Sequence, residues 1–324
     1  MKNRTIKKIV ASLMAVSLIG GGISSPVVSK KLFVNSLMAN AEETEKTDSV
    51  ISNVSLTLDG SIGINLYALI GENVAKAVLS GPNGDFEITD FSKKEADGTY
   101  KFTYRVNAIQ VKDNITLKLY DESGLQLEMC KNNNSQIVSE INYSVQNYLD
   151  DVKEYDEYEN DPVFKILIKS TENYCNAAEN YFKNTTNKVN VVADPFIVIL
   201  NHYAPTFGDD IKISLVLDSE TAVRFYTDGA DVKINGEEVD SIDSKYGKCY
   251  EMANIPAHNL LKTYELIVDG KEYSFSPMSY AYRVISSKSS NKKLKEVALT
   301  TYMYGLAADE YAKQQNVVVR EIEQ

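Results

Sequence analysis

The sequence predicts an α+β protein of two related units, each an antiparallel β-sandwich-like block followed by a packed helical hairpin. Three observations predict it. Residues 54–67, "VSLTLDGSIGINLY", alternate apolar and polar side chains about an Asp-Gly turn, and residues 213–226, "ISLVLDSETAVRFY", repeat them with five of 14 positions identical. Apolar side chains two apart share one face of a strand, and Asp-Gly supplies the turn. After each strand-rich stretch the apolar period changes to three and four, the spacing of a helix with one buried face. Finally, "NYCNAAENYF", ending at Phe182, is echoed 130 positions later by "MYGLAADEYA", ending at Ala312.

Taken in order, the first block runs over 52–184. Leu56 and Leu58 precede Asp59-Gly60, and Ile62, Ile64 and Leu66 return. "TYKFTYRV" and "NITLKLYDESG" continue the alternation, with Gly81-Pro82-Asn83-Gly84 as a second turn. A helix is expected from a Ser139 cap through Ile141, Val145, Tyr148 and Val152. A stronger start follows at Asp161-Pro162, an acid at the N-cap and proline at the first helical position. Phe164, Leu167, Ile168, Thr171, Tyr174, Cys175, Ala178, Tyr181 and Phe182 then mark its buried face. Residues 185–210 read as a linker, 211–315 as the second unit and 316–324 as a tail. In the second unit Asn235-Gly236 and Asp269-Gly270 predict hairpins, Ser276-Pro277 starts a helix, and another runs from about Asn291 to Lys313.

The repeated helix motif has a packing explanation. At the 130-residue offset Phe164 matches Leu294, Tyr174 matches Tyr304, Ala178 matches Ala308 and Tyr181 matches Tyr311, all on the apolar side. Cys175 becomes Gly305, so the position asks for a small residue rather than a thiol. The alanines let the helix approach a neighbour, and the Tyr rings cover the gap with hydroxyls reaching polar partners at its edge.

The N-terminus predicts export. Lys2, Arg4, Lys7 and Lys8 precede an apolar run from Ile9 to Ile19, too short to span a bilayer and of signal-peptide length. Ala39-Asn40-Ala41 is the expected cleavage site, a cut near Ser29 the alternative and a retained signal anchor a third reading. Residues 1–41 are therefore read as signal peptide and spacer, and 42–51 as a flexible acidic lead-in. Six of the 34 Lys and Arg precede residue 42, so 28 remain against 45 Asp and Glu, a net charge of −17. Such a surface disfavours nucleic acid and anionic lipid. No stable membrane insertion is expected after cleavage. Cys130, Cys175 and Cys249 are too few and too widely spaced for a disulfide framework, although one bridge stays open.

No catalytic, metal or cofactor constellation emerges. His202 and His258 lie outside any metal-ligand spacing, and "DGADVKINGEEVD" from Asp228 misses the ligand positions of a calcium loop. Cys175 lies on the apolar helix face, where a thiol is inert, and Cys249 precedes His258 by a spacing no mechanism demands. A Gly-x-Ser-x-Gly elbow is absent, and 45 acids make carboxylate pairs uninformative. The chain has no Trp but 21 Tyr. Tyr serves protein interfaces and sugar platforms alike. Tyr67, Tyr100, Tyr104 and Tyr226 are the candidate binding aromatics.

"VSLTLDGSIGINLYALI", "INYSVQNYLDDV" and "FKILIKSTENYCNAAENYF" resemble a repeat abundant in exported proteins of gut-dwelling Firmicutes. There a Leu-x-Leu-Asp-Gly strand pair precedes a Ser-Val-x-x-Tyr helix and an Asn-Tyr-Gly-x-Ala-Ala-x-x-Tyr-Phe helix. The resemblance covers residues 52–184 well and 211–313 more loosely. It implies an extracellular or surface module and brings no catalytic residues. The functional expectation is an exported, non-enzymatic binding module, secreted or loosely cell-associated, that recognises a host or cell-surface protein. An immunoglobulin ligand is its specific form. A carbohydrate-binding module is the alternative, and a secreted hydrolase the less favoured one.

Overall fold

The computed structural model describes residues 16–17, 49–131, 136–191, 200–217 and 220–322, with backbone only for Val16–Ser17 and 316–322. The expected leader and lead-in therefore lie outside the described residues, except Val16–Ser17 and 49–51. The fold is mixed α+β, with four sheets and a small set of helices.

The first sheet has the order β10 (Gln136–Val138), β9 (Met129–Lys131), β2 (Val50–Thr57), β3 (Ile62–Leu69), β6 (Tyr100–Val106), with β1 (Val16–Ser17) also on β2. It is antiparallel except where β2 meets β1 and β9. The second is β11 (Ile141–Tyr143), β7 (Ile115–Tyr120), β4 (Lys76–Gly81), β5 (Gly84–Ile88), with β8 (Gln126–Leu127) on β7. The third is β12 (Lys212–Leu217), β13 (Thr221–Tyr226), β17 (Gly247–Met252), β16 (Ile242–Ser244). The fourth is β15 (Glu237–Glu238), β14 (Val232–Ile234), β18 (Tyr264–Val268), β19 (Lys271–Phe275).

Alternation sets which side chains enter the core. Ile64, Leu66, Phe102, Tyr104 and Val106 are buried on one face of β3 and β6, and Ile115, Leu117 and Leu119 on one face of β7. The turns form where the sequence places them. Asn235-Gly236 and Asp269-Gly270 adopt positive φ at both central positions, as a tight two-residue hairpin requires. Gly81 meets a different demand, since a Cβ there would lie 2.6 Å from the Tyr104 ring.

Two expectations about helices change. Ile141 belongs to β11, and α1 (Val145–Asp151) is capped by Ser144, whose Oγ accepts from Asn147 N at 3.0 Å. Ser139 precedes that strand, so it caps nothing. After the short α2 (Asp156–Asn160), α3 (Pro162–Phe182) starts as its sequence requires: Asp161 Oδ1 accepts from Val163 N and Phe164 N, both at 3.0 Å. Ser276 Oγ accepts from Met278 N at 3.2 Å to open α4 (Met278–Ser286). Asn291 Oδ1 accepts from Leu294 N at 2.8 Å at the start of α5 (Lys292–Ile322). That helix continues past Lys313, through most of the stretch read as a tail.

The long helices pack across the two expected units: α3 and α5 lie antiparallel against each other, while α5 also packs against α4 as expected of a hairpin. Tyr174 and Tyr304 are both buried and stack with ring centres 5.0 Å apart and planes 12° from parallel. Phe164 meets Tyr311 at 5.8 Å, and Gln314 Nε2 donates to Asp161 Oδ2 at 3.3 Å. At the other end Lys293 Nζ donates to Asn184 Oδ1 at 2.6 Å. The Tyr rings thus fill the seam instead of covering its edge. Gly305 is required to be small: a Cβ there would lie 2.9 Å from Leu260 Cβ and 2.6 Å from Leu261 Cδ1. Cys175 is buried, and burial pushes its thiol far above the usual range.

The segment read as a linker is held at its described ends. Asn180 Oδ1 accepts from Asn187 N at 2.6 Å and Thr185 Oγ1 at 2.9 Å, and Leu200 and Phe207 are buried. Ala178 is 1% exposed within the helix contact. Replacing it with Leu overpacks this region, and we expect denaturant titration to read a loss of about 1–3 kcal/mol.

Candidate functional site

The outer face of the third sheet carries an exposed aromatic pair. On β13 the alternation sends Phe225 into the core and Arg224 and Tyr226 outward. Register then aligns Lys212, Tyr226, Cys249 and Ile242 in one row across the four strands. Ile242, on the edge strand β16, is 50% exposed. Tyr246 sits at the tip of the β16–β17 hairpin, is 69% exposed, and meets Tyr226 edge-on with ring centres 5.8 Å apart and planes at 90°.

The hairpin fixes that tip. Ser244 pairs with Gly247, leaving Lys245 and Tyr246 as a two-residue turn, and Gly247 takes a positive φ. Ser244 Oγ donates to Gly247 O at 2.7 Å and accepts from Tyr246 N at 3.1 Å. Lys245 Nζ lies 4.8 Å from the centre of the Tyr246 ring. Beside this cluster on the same face Arg224 pairs with Glu251, and Tyr226 hydroxyl shares a hydrogen bond with Ser214 Oγ at 3.4 Å. The result is an exposed Tyr226–Tyr246 pair with Lys245 beside it and Ile242 exposed on the same row of the sheet.

The four candidate tyrosines divide. Tyr226 is part of the cluster. Tyr67 is half-buried on the face of the first sheet opposite Ile64 and Leu66, its hydroxyl 3.2 Å from the buried Ser55 Oγ. Its neighbours there form a polar ladder in which Asn65 Nδ2 donates to Ser55 Oγ at 3.0 Å and Thr103 Oγ1 donates to Asn65 Oδ1 at 2.8 Å. Tyr100 packs at the core margin against Phe91 and Phe102, at 5.4 and 4.7 Å. Tyr104 is not a surface aromatic: it is 1% exposed, and its hydroxyl accepts from Asn83 N at 2.8 Å and donates to Gly84 O at 2.9 Å. It anchors the β4–β5 turn to the core. Ile242 and Tyr246 were missed, although "IDSKYGKCY" places Ile242 on the strand before a tight turn and Tyr246 in the turn itself.

Chemistry elsewhere is sparse. Burial raises the Cys249 thiol, and the charged and polar groups around it are Arg224, Glu251 and Tyr226, not His258. Among the described residues no three His, Cys, Asp or Glu side chains gather as a metal site, and no helix is long and apolar enough to cross a membrane. Compared with known proteins, the chain matches no protein-family model and no curated sequence.

A second polar feature lies where the Leu58–Ser61 turn meets the strands of the third sheet. Ala257 N donates to Leu58 O at 2.9 Å, bringing His258 to this junction. His258 Nδ1 is buried with no hydrogen-bond partner among the described residues, and Asp59, Asp309 and Lys262 supply the surrounding charge. Burial lowers the imidazole pKa, opposed by the two carboxylates. The unfolded chain therefore binds a proton more readily than the folded one. Above the ordinary histidine value near 6.5 both states are neutral; below it the unfolded state gains the proton first and stability falls. Denaturation midpoints should decline as pH drops from about 6.5 toward 5, and His258→Gln should flatten that decline.

Proposed function

We propose that this protein is an exported, non-enzymatic module that binds a host or cell-surface protein, and that it is built from two copies of one sandwich-like unit. The observation that carries the binding reading is the Tyr226–Tyr246 pair with Lys245 beside it and Ile242 exposed on the same sheet face. Exposed aromatic and aliphatic side chains held by a sheet bind protein surfaces with little ordering cost. A carbohydrate platform needs ring faces that can be stacked together, and the perpendicular Tyr226–Tyr246 pair does not offer one.

The duplication is supported by register. Leu56 stands opposite Ile64 and Ser55 opposite Asn65; 159 positions on, Leu215 stands opposite Val223 and Ser214 opposite Arg224. The second and fourth sheets share a strand sequence as well, a hairpin, then a returning strand, then a last strand leading to a helix. Under this reading the Asn65–Thr103 pair of the first copy becomes the Arg224–Glu251 ion pair of the second. Divergence at these outer faces would leave one copy structural and the other binding. Export is inferred from the basic N-terminus and short apolar run alone.

The test immobilises the mature chain beside an Ile242→Ser/Tyr246→Ser variant and exposes both to host secretions, purified immunoglobulins and a polysaccharide array. We expect one protein captured by the wild type and at least tenfold less by the variant, at equal melting temperature. Glycan capture without protein capture contradicts the proposal, as does turnover of any ligand.

A further inference from the structure

We propose that the junction between the two halves of the chain binds one buried water molecule, which bridges hydroxyls that share no direct hydrogen bond. The site is separate from the Tyr226–Tyr246 pair and does not depend on the binding reading. It is a small cavity of about 10 Å³, measured as the room left for the centre of a water molecule. That meets the lower bound of ~10–15 Å³ that one buried water needs. Leu58, Ser61 and Tyr174 line it from the first half of the chain, and Thr221, Leu260 and Tyr304 from the second. Backbone bonds across the junction fix its walls. Ala257 N donates to Leu58 O at 2.9 Å, and Thr221 N donates to Gly60 O.

Unpaired hydroxyls line this cavity. Ser61 is 5% exposed, and its Oγ is buried with no hydrogen-bond partner among the described residues. Tyr174 and Tyr304 are 4% and 5% exposed, and neither hydroxyl has a hydrogen bond to another described residue. The stack of the two rings, with centres 5.0 Å apart, holds both side chains in place. Native interiors pair nearly all such groups, and ordered water serves where the protein supplies no partner. One orphaned hydroxyl is a local irregularity. Three around a single water-sized space point to a ligand.

Size and polarity name the occupant. Among the described residues no charged side chain lines the cavity, so an ion there would lack a counter-charge. An apolar guest would leave the hydroxyls unpaired, and the space admits nothing larger than water. Burial pushes both phenols above the ordinary tyrosine value, so each keeps a proton to donate. Water accepts two hydrogen bonds and donates two. It can therefore accept from Tyr174 and Tyr304 and donate to Ser61 Oγ. The contact between the halves then has a polar bridge beside its aromatic stack.

The test introduces Ser61→Ala and Tyr304→Phe, singly and together, into the full chain and compares melting temperatures. Both changes remove a hydroxyl, and phenylalanine keeps the ring stack. In a dry cavity Ser61→Ala would delete an unpaired polar atom and leave the melting temperature unchanged or raised. With water bound, each single change should lower it by about 2–4 °C. The double change should lose clearly less than the two losses added, because either one already breaks the bridge. A crystal structure of the wild type should show an ordered water about 2.6–3.2 Å from Ser61 Oγ. An unchanged or raised melting temperature in Ser61→Ala overturns the proposal. So do strictly additive losses, or a wild-type cavity without ordered water.

Discussion

The packing of α3 against α5 is the constraint on which the remaining structure depends. The helices come from distant parts of the chain, and the stacked Tyr174 and Tyr304 rings close the seam between them. Small residues let the backbones and adjoining loops come this near. Gly305 meets Leu260 and Leu261 directly, so a side chain at that position must displace the loop after Ala257. That loop donates to Leu58 O, and Thr221 N donates to Gly60 O, which fastens the first turn of one strand group to the other. Helix pairing and strand contact thus constrain each other. A polar group caught in the same junction, His258 Nδ1, carries the cost of that closeness.

Much of this was legible in the sequence because it rests on local rules. The Asp161-Pro162 helix start, the Asn235-Gly236 and Asp269-Gly270 hairpins and the buried Tyr174, Ala178 and Ala308 follow from caps, turn chemistry and period. What periodicity does not encode is the partner of a buried face. A stripe containing Tyr174 fits a sheet or a second helix equally well, so the α3–α5 pairing was not readable. Short strands also escaped: β9, β10 and β16 have three residues each, too few to show alternation. Ser139 was mistaken for a cap because Ile141 satisfies both the helical period of α1 and the strand period of β11.

The site was less legible than the fold for a related reason. Tyr104 and Tyr226 look alike in sequence, each a tyrosine in an alternating strand. One points inward to hold the Pro82-Asn83 turn, the other outward beside Tyr246. Strand phase decides this, and phase is fixed by neighbours that a single strand does not reveal. Under the proposed duplication the first and third sheets differ in chemistry, one carrying a Ser55–Asn65–Thr103 ladder and the other the Arg224–Glu251 ion pair beside exposed rings.

The central claim is that Tyr174 and Tyr304 hold distant halves of the chain together as one cooperative structure. A double-mutant cycle with Tyr174→Leu and Tyr304→Leu, read by denaturant unfolding with probes in both halves, tests it most directly. The account predicts coincident transitions for the wild type and a coupling between the two substitutions of about 0.5–1.5 kcal/mol, the value of an aromatic contact beyond its buried area. Additive effects of the two substitutions, with the halves of the wild type unfolding at separate midpoints, would contradict it.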